Sequence, residues 1–178
     1  PDREFHAFHP DKSRRRAVNV ALSPWAVYSF YAFCSVAGLL LALEVGPVFF
    51  VTSLLFWLSG VMYNVRPVRS KDKPYLDVLS ESLNNPIRLM LGWSMIEQSS
   101  VAPASLLLAY WMGGAFLMGA KRLSEYREIT ASHGVGLLHR YRASFKHYTE
   151  ERLTISCFVY ALLATLLIGF FLVKYRIE

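Results

Sequence analysis

Five long apolar segments separated by polar connections constrain the fold of this chain more than any other feature. They cover residues 24–44, 47–63, 76–96, 103–126 and 151–175. A helix needs about 20 predominantly apolar residues to cross the hydrocarbon core of a bilayer. The composition agrees, because 54% of the chain is hydrophobic and its mean hydropathy is +0.31. We predict an all-α polytopic transmembrane helix bundle, with about five spanning helices in a single membrane domain over residues 1–178. Ser23 and Pro24 predict the N-cap and the first position of the first helix.

The basic residues are distributed unevenly between the two sides of such a bundle. With the N-terminus on side one, 16 of the 19 Lys and Arg residues fall in side-one connections, and the others are Arg88, Lys174 and Arg176. Cytoplasmic loops carry an excess of Lys and Arg. We therefore expect residues 1–23, 64–75 and 127–148 to be cytoplasmic loops of an integral membrane protein, in the inner or plasma membrane of a bacterium. Charge divided among loops beside spans suits membrane lipid as a partner and argues against nucleic acid.

The third apolar segment carries a polar stripe. Asp77, Glu81, Asn84, Asn85 and Arg88 fall within an arc of roughly 100° on a helix, and apolar residues cover its other sides. Ionisable groups at membrane depth are costly, so they usually line a cavity or a pathway. The stripe has two interpretations, a polar functional cleft or an internal structural network such as a Glu81–Arg88 ion pair.

The residue types in this stripe and in the basic loops suit one kind of ligand. Asp77 and Glu81 lie one helical turn apart, and Mg²⁺ is often held by one or two carboxylates together with substrate phosphates. Lys and Arg neutralise phosphate oxygens. Apolar helices around such a mouth would accommodate a hydrocarbon tail. The pattern indicates a site for a diphosphate with an isoprenoid tail, although the DxxxE spacing by itself is a weak signal.

Several segments resemble the UbiA-type intramembrane prenyltransferases, a family of bundles with about nine helices and two aspartate-rich motifs. Residues 77–81 are similar to the second motif, DxxxD, with Glu in the last position. Residues 63–71 resemble the Tyr-Ser…Leu-Lys segment before it, and residues 2–15 resemble the end of the first motif. Residues 119–125 and 142–151 resemble later cytoplasmic segments. The resemblance covers nearly the whole chain, and it implies two further spans before residue 1 and about two after residue 178.

This resemblance implies roles for individual residues. Asp77 and Glu81 would be catalytic and, with Asp2, would hold Mg²⁺. Four cations would bind diphosphate: Lys12, Arg15, Lys71 and Lys121. Three residues would line the cleft: His6, Asn84 and Arg88. The chain departs from the family pattern at His6, where the first motif usually has Asp, and the Asn-Asp opening of that motif is absent.

Two classes of function follow and stay open at this point. The first is an active prenyltransferase that moves an isoprenoid chain from a prenyl diphosphate to an acceptor, with Mg²⁺; the acceptor is not readable from the residues. The second is a catalytically inactive UbiA-like structural or lipid-binding subunit, with other membrane subunits as partners, which the departures at the first motif favour. A transporter is less favoured, because no pair of broken helices is evident.

Overall fold

The computed structural model describes residues 23–176, apart from the side chains of His133 and Arg140. Those residues form helices and connections, without a β-strand. The α-helices are α1 Pro24–Val45, α2 Pro47–Asn64, α3 Leu76–Ser82, α4 Asn84–Ile96, α5 Ala104–His133, α6 Val135–Tyr141 and α7 Glu150–Tyr175. Short 3-10 helices lie at Ser70–Asp72 and Ala143–Lys146. The all-α prediction is confirmed for this part of the chain.

Three of the helices, α1, α2 and α7, are long and apolar enough to cross a membrane, by length and composition. They coincide with the first, second and fifth predicted spans. Pro24 and Pro47 each stand at the start of a helix, where the missing amide hydrogen costs nothing. Ser23 occupies the N-cap position of α1, as predicted, but its side chain makes no capping hydrogen bond.

The third predicted span is not a single helix. It is divided into α3 and α4 at Leu83, which keeps a right-handed helical backbone but separates the two helices. Pro86 explains the break, because it lacks an amide hydrogen for the carbonyl of Ser82 and its ring crowds that carbonyl. The predicted span over residues 76–96 is therefore made of two consecutive helices. The break lies between Glu81 and the first residue of α4, within the polar stripe.

The fourth predicted span is the beginning of a longer helix. Helix α5 continues to His133, well past the predicted end at residue 126, and carries Lys121, Arg122 and Glu125 along the way. Because of these charges, α5 is less apolar than α1, α2 and α7. The connection predicted over residues 127–148 is itself mostly helical, since it holds the end of α5, α6 and a 3-10 helix.

Helices α5 and α7 pack along one another more extensively than any other pair. The two helices are in contact at Gly119, where an added Cβ would lie 3.1 Å from Sγ of Cys157 and 3.8 Å from the Tyr160 ring. Helix α2 packs against α1 and α4. Polar contacts fix these pairs: Trp57 donates to Oγ of Ser35 at 3.0 Å, and Ser59 donates to Oδ1 of Asn84 at 3.0 Å.

The distribution of polarity fits a surface that faces lipid. Large apolar side chains on α1 and α7 are exposed, among them Phe33 at 70% and Phe158 at 73%. Charged side chains are buried in the same structure, including Lys71, Asp77, Arg122 and Glu125. A chain that exposes Phe and buries Arg follows the pattern expected when hydrocarbon, and not water, surrounds the bundle.

Candidate functional site

The buried charges meet around the guanidinium of Arg122, at the end of the bundle where α3 and α5 are in contact. Its side chain is only 2% exposed and pairs with three carboxylates. Nη2 lies 2.5 Å from Oε2 of Glu81, Nη1 lies 3.1 Å from Oε2 of Glu125, and Nε lies 3.3 Å from Oδ2 of Asp77. Glu125 follows Arg122 by three residues and so shares its face of α5. We call these four residues, together with Tyr63, Lys121 and Arg142, the charged cluster.

Asp77 is the most deeply enclosed carboxylate of the charged cluster, with no exposed surface. Its Oδ1 accepts a hydrogen bond from the Tyr148 hydroxyl at 2.7 Å, and its Oδ2 accepts one from Ser144 at 3.0 Å. Nη1 of Arg142 lies 3.7 Å from the same Oδ2. Since Arg142, Ser144 and Tyr148 all belong to the segment between α6 and α7, Asp77 fastens that segment to α3.

The Tyr148 hydroxyl is both a donor and an acceptor in this arrangement. It donates to Asp77 and accepts a hydrogen bond from the backbone amide of Tyr75 at 2.5 Å. Burial raises the pKa of the Tyr148 phenol, and the negative charge of Asp77 raises it further. The phenol therefore stays protonated and keeps donating to the carboxylate at neutral pH.

Glu81 is the more accessible carboxylate, since 26% of its side chain is exposed. The Tyr63 hydroxyl donates to Oε2 at 2.8 Å, and Nη2 of Arg142 donates to that hydroxyl at 2.9 Å. Oε1 faces Nζ of Lys121 at 3.9 Å. The Glu81–Arg88 ion pair considered from sequence is not formed, because Arg122 reaches Glu81 instead.

The remaining predicted site residues lie in different surroundings, and some of them lie outside the described part of the chain. Lys71 is buried near the same end of the bundle, where Nζ donates to Asn64 at 3.2 Å. Asn84 is half-buried and bonded to α2. Arg88 is exposed, and its guanidinium lies 5.6 Å from the centroid of the Phe56 ring; its predicted place in the lining of a cleft stays a prediction. The predicted roles of Asp2, His6, Lys12 and Arg15 lie outside the described residues.

Sequence reasoning missed the residues that organise this site. Arg122 was read as a loop charge that reports topology, although the spacing Lys121-Arg122-x-x-Glu125 at the end of an apolar run marks an ionisable helix face. Arg142, Ser144 and Tyr148 carried no comparable signal. They reach Asp77 across about 70 residues of sequence, and no local pattern reports such a contact.

The charges within the site are balanced. Three carboxylates, Asp77, Glu81 and Glu125, lie among the three cations Lys121, Arg122 and Arg142. Both oxygens of Asp77 already accept hydrogen bonds, so this side chain does not fit a metal ligand in the arrangement seen. Oε1 of Glu81, which lies 3.9 Å from Nζ of Lys121 and accepts no hydrogen bond from the described residues, does fit. Within residues 23–176 there is no group of three His, Cys, Asp or Glu residues that would hold a metal ion.

A groove of about 730 Å³ lies beside the charged cluster, between α4, α5 and α7. Its lining is mainly apolar, with four polar side chains. Those four are Asn85 and Arg88 from α4, Tyr110 from α5 and Thr165 from α7. Gly113 and Gly114 also line it, and a Cβ at Gly114 would collide with the side-chain amide of Asn85 unless that amide moved.

Comparison with known proteins agrees with this architecture. The model of the UbiA prenyltransferase family matches residues 2–176. Neither a curated protein nor a solved structure gives a match. The match extends over almost the entire length of the sequence, including the polar stripe of α3 and α4 and the cations of α5. The chain is an integral membrane protein that belongs to the UbiA prenyltransferase family.

Proposed function

We propose that this prenyltransferase-like protein transfers an isoprenoid chain from a prenyl diphosphate to an acceptor within the membrane. The observation that carries the proposal is a dense set of charged side chains, of which Lys121 is half exposed, at one end of a bundle that contains long apolar helices. A diphosphate needs cations, and its hydrocarbon tail needs an apolar enclosure. One end of this bundle offers both within a few helical turns.

In the proposed reaction the carbon–oxygen bond to the diphosphate breaks, and its electron pair leaves with the diphosphate. The acceptor's nucleophilic atom bonds to the allylic carbon and loses a proton. Charge that develops on the leaving diphosphate would be stabilised by Lys121 and Arg142, with Lys71 nearby. Lys12 and Arg15 join this set by resemblance to the family. Arg122 is already bonded to three carboxylates, so we assign it to positioning Asp77 and Glu81.

The family resemblance also implies Mg²⁺. We propose Glu81 as its protein ligand among the described residues, together with Asp2, since Mg²⁺ often takes one or two carboxylates and completes its shell with phosphates and waters. The ion would supply additional neutralisation of the diphosphate. Asp77 is excluded from this role while Tyr148, Ser144 and Arg122 occupy its oxygens.

Binding of geranylgeranyl diphosphate to the purified chain, with and without Mg²⁺, tests the donor site. Lys121→Gln should weaken binding about tenfold, because one charge-assisted contact is lost. Lys146→Gln is the matched control, since Lys146 is exposed and lies outside the charged cluster. Equal binding of geranylgeraniol and its diphosphate would contradict the proposal. A donor affinity that EDTA leaves unchanged would contradict the Mg²⁺ site alone.

A catalytically inactive structural or lipid-binding subunit is the second candidate. The full compensation of Asp77 and Arg122 favours it, because a carboxylate with all its oxygens occupied resembles a structural network more than an open site. Incubating the protein with labelled donor and a total membrane-lipid extract distinguishes the two. Incorporation of label into lipid supports transfer, whereas saturable donor binding without incorporation supports the inactive subunit.

We also propose that the end bearing the charged cluster faces the cytoplasm of a bacterium. The reason is the excess of Lys and Arg in the connections at that end, since cytoplasmic loops are enriched in these residues. Single cysteines placed at Lys146 and at Ser99 should react oppositely with a membrane-impermeant thiol reagent applied to intact cells, once Cys34 and Cys157 are changed to Ala. Labelling at position 146 and protection at position 99 would reverse the proposed orientation.

A further inference from the structure

On its α4 side, the groove between α4, α5 and α7 carries two polar side chains whose bonding capacity is not used by the described residues. Arg88 and Asn85 both line it, three residues apart on one face of α4. The one interaction that the structure gives the Arg88 guanidinium within residues 23–176 is with the Phe56 ring. The side-chain amide of Asn85 makes no hydrogen bond to that part of the chain.

The position of Arg88 sets its charge against the mainly apolar lining of the groove. Arg88 follows Glu81 by seven residues, so it lies roughly 10 Å further along the helical path from the charged cluster. A guanidinium at membrane depth is expensive unless it is paired. An aromatic ring attracts the cation, but it supplies no negative charge and accepts no strong hydrogen bond. Within residues 23–176, no carboxylate is therefore paired with Arg88 in the groove.

The donors specify what that anion must be. A guanidinium has only donors, in a planar fork that matches a carboxylate or phosphate in bidentate geometry, and the Asn85 amide adds a further N–H donor. One cation balances one negative charge. Groove volumes of 300–1,000 Å³ are typical for a single small ligand, and 730 Å³ falls in that range. A bilayer phospholipid is a poorer match, because it has two chains and holds its phosphate at the headgroup level.

The apolar part of the groove extends away from the charged cluster. Tyr110 precedes Arg122 by twelve residues of α5, about 18 Å along the helix. Ile168 lies far from the start of α7, which is beside the charged cluster. A ligand with its acidic group on Arg88 would run its chain past these two residues.

We propose that this groove binds a single-chain amphiphile with a carboxylate head, held by Arg88 and Asn85, with its hydrocarbon chain along α5 and α7. This site goes beyond prenyl transfer and does not depend on it. It is separate from the diphosphate site in both its residues and its depth. Its ligand class follows from a cation and an amide that have no hydrogen-bond partner among residues 23–176, and from an apolar groove of limited volume.

Oleate, oleyl alcohol and lysophosphatidylcholine are the probes, measured by equilibrium binding to the purified chain in nanodiscs of zwitterionic lipid. Oleate should bind saturably and at least about tenfold more tightly than either of the others. Arg88→Gln should remove that preference by weakening oleate about tenfold, while oleyl alcohol binding stays the same. The matched control is Arg176→Gln, since Arg176 is exposed at the end of α7, outside the groove.

A second variant tests the channel with Arg88 intact. A Cβ at Gly113 meets nothing within 4 Å, so Gly113→Leu should fold and fill the groove. It should weaken oleate several-fold more than octanoate, whose chain is shorter. Equal effects of Arg88→Gln and Arg176→Gln, or equal affinities for oleate and oleyl alcohol, would overturn the proposal. Competition between oleate and geranylgeranyl diphosphate that is lost with Arg88→Gln would instead assign the groove to the donor and also overturn it.

Discussion

Changing Asp77 to Asn should loosen the segment between α6 and α7 and destabilise the whole bundle. Asp77 is completely buried, and its carboxylate accepts hydrogen bonds from Tyr148, Ser144 and Arg122. Asn is nearly isosteric, so no cavity opens, but one of the two acceptor oxygens becomes an N–H donor directed at other donors. The perturbation is therefore electrostatic and local.

The magnitude follows from the burial of the partners. Removing one member of a buried ion pair costs about 3–5 kcal/mol. Arg122 keeps Glu81 and Glu125 after the change, so we expect the lower end of that range, about 3 kcal/mol. Because neither Asp77 nor Arg122 is appreciably exposed, solvent screening does not reduce this value. A loss of about 3 kcal/mol lowers the folding equilibrium constant more than a hundredfold.

The measurement combines denaturant unfolding in mixed micelles with hydrogen exchange of the segment that contains Ser144 and Tyr148. Asp72→Asn is the matched control, since Asp72 makes a partly exposed pair with Arg69 at 2.5 Å and surface pairs contribute at most about 1 kcal/mol. We expect faster exchange in the segment only in Asp77→Asn. Equal unfolding free energies for the two variants would refute the anchoring role of Asp77.

Three further predictions concern the Tyr148–Asp77 contact and the packing and continuity of the helices. Tyr148→Phe should lower the free energy of unfolding by about 1–2 kcal/mol. Since the folded-state pKa of Tyr148 lies above its ordinary value of 10.0, the contribution of Tyr148 to stability is fully present below pH 10.0 and is lost as the pH rises above it. The free energy of unfolding measured from pH 8 to 11 should therefore decline less steeply in the variant than in the unmodified protein. Gly119→Ile should separate α5 from α7 and lower stability by about 1–3 kcal/mol through overpacking. Gly169→Ile should leave the unfolding midpoint unchanged, because a Cβ there meets nothing within 4 Å. Equal shifts of the unfolding midpoint in the two variants would argue against close α5–α7 packing. Pro86→Ala should restore the hydrogen bond to the Ser82 carbonyl and join α3 to α4 as one straighter helix, so the distance between spin labels at positions 76 and 95 should change; an unchanged distance would mean that Pro86 does not cause the break.

The sequence by itself determined the class of fold and which carboxylates share one helix face. Apolar runs long enough to span a bilayer report a membrane helix directly, because each helix satisfies its own backbone hydrogen bonds and needs no partner to be recognised. The same locality placed Asp77 and Glu81 on one helix face. It also placed Lys121 beside an apolar run, where α5 continues into its charged half.

Only the tertiary structure decided which charges meet. Arg122 reaches Asp77 and Glu81 from another helix, and Arg142, Ser144 and Tyr148 arrive from a connection about 70 residues away in sequence. Those pairings depend on how α5 packs against α3 and on how the last connection folds back. Helical periodicity relates residues three or four apart, so it placed Asp77 and Glu81 on one face but carried no information about the partners that occupy the oxygens of Asp77.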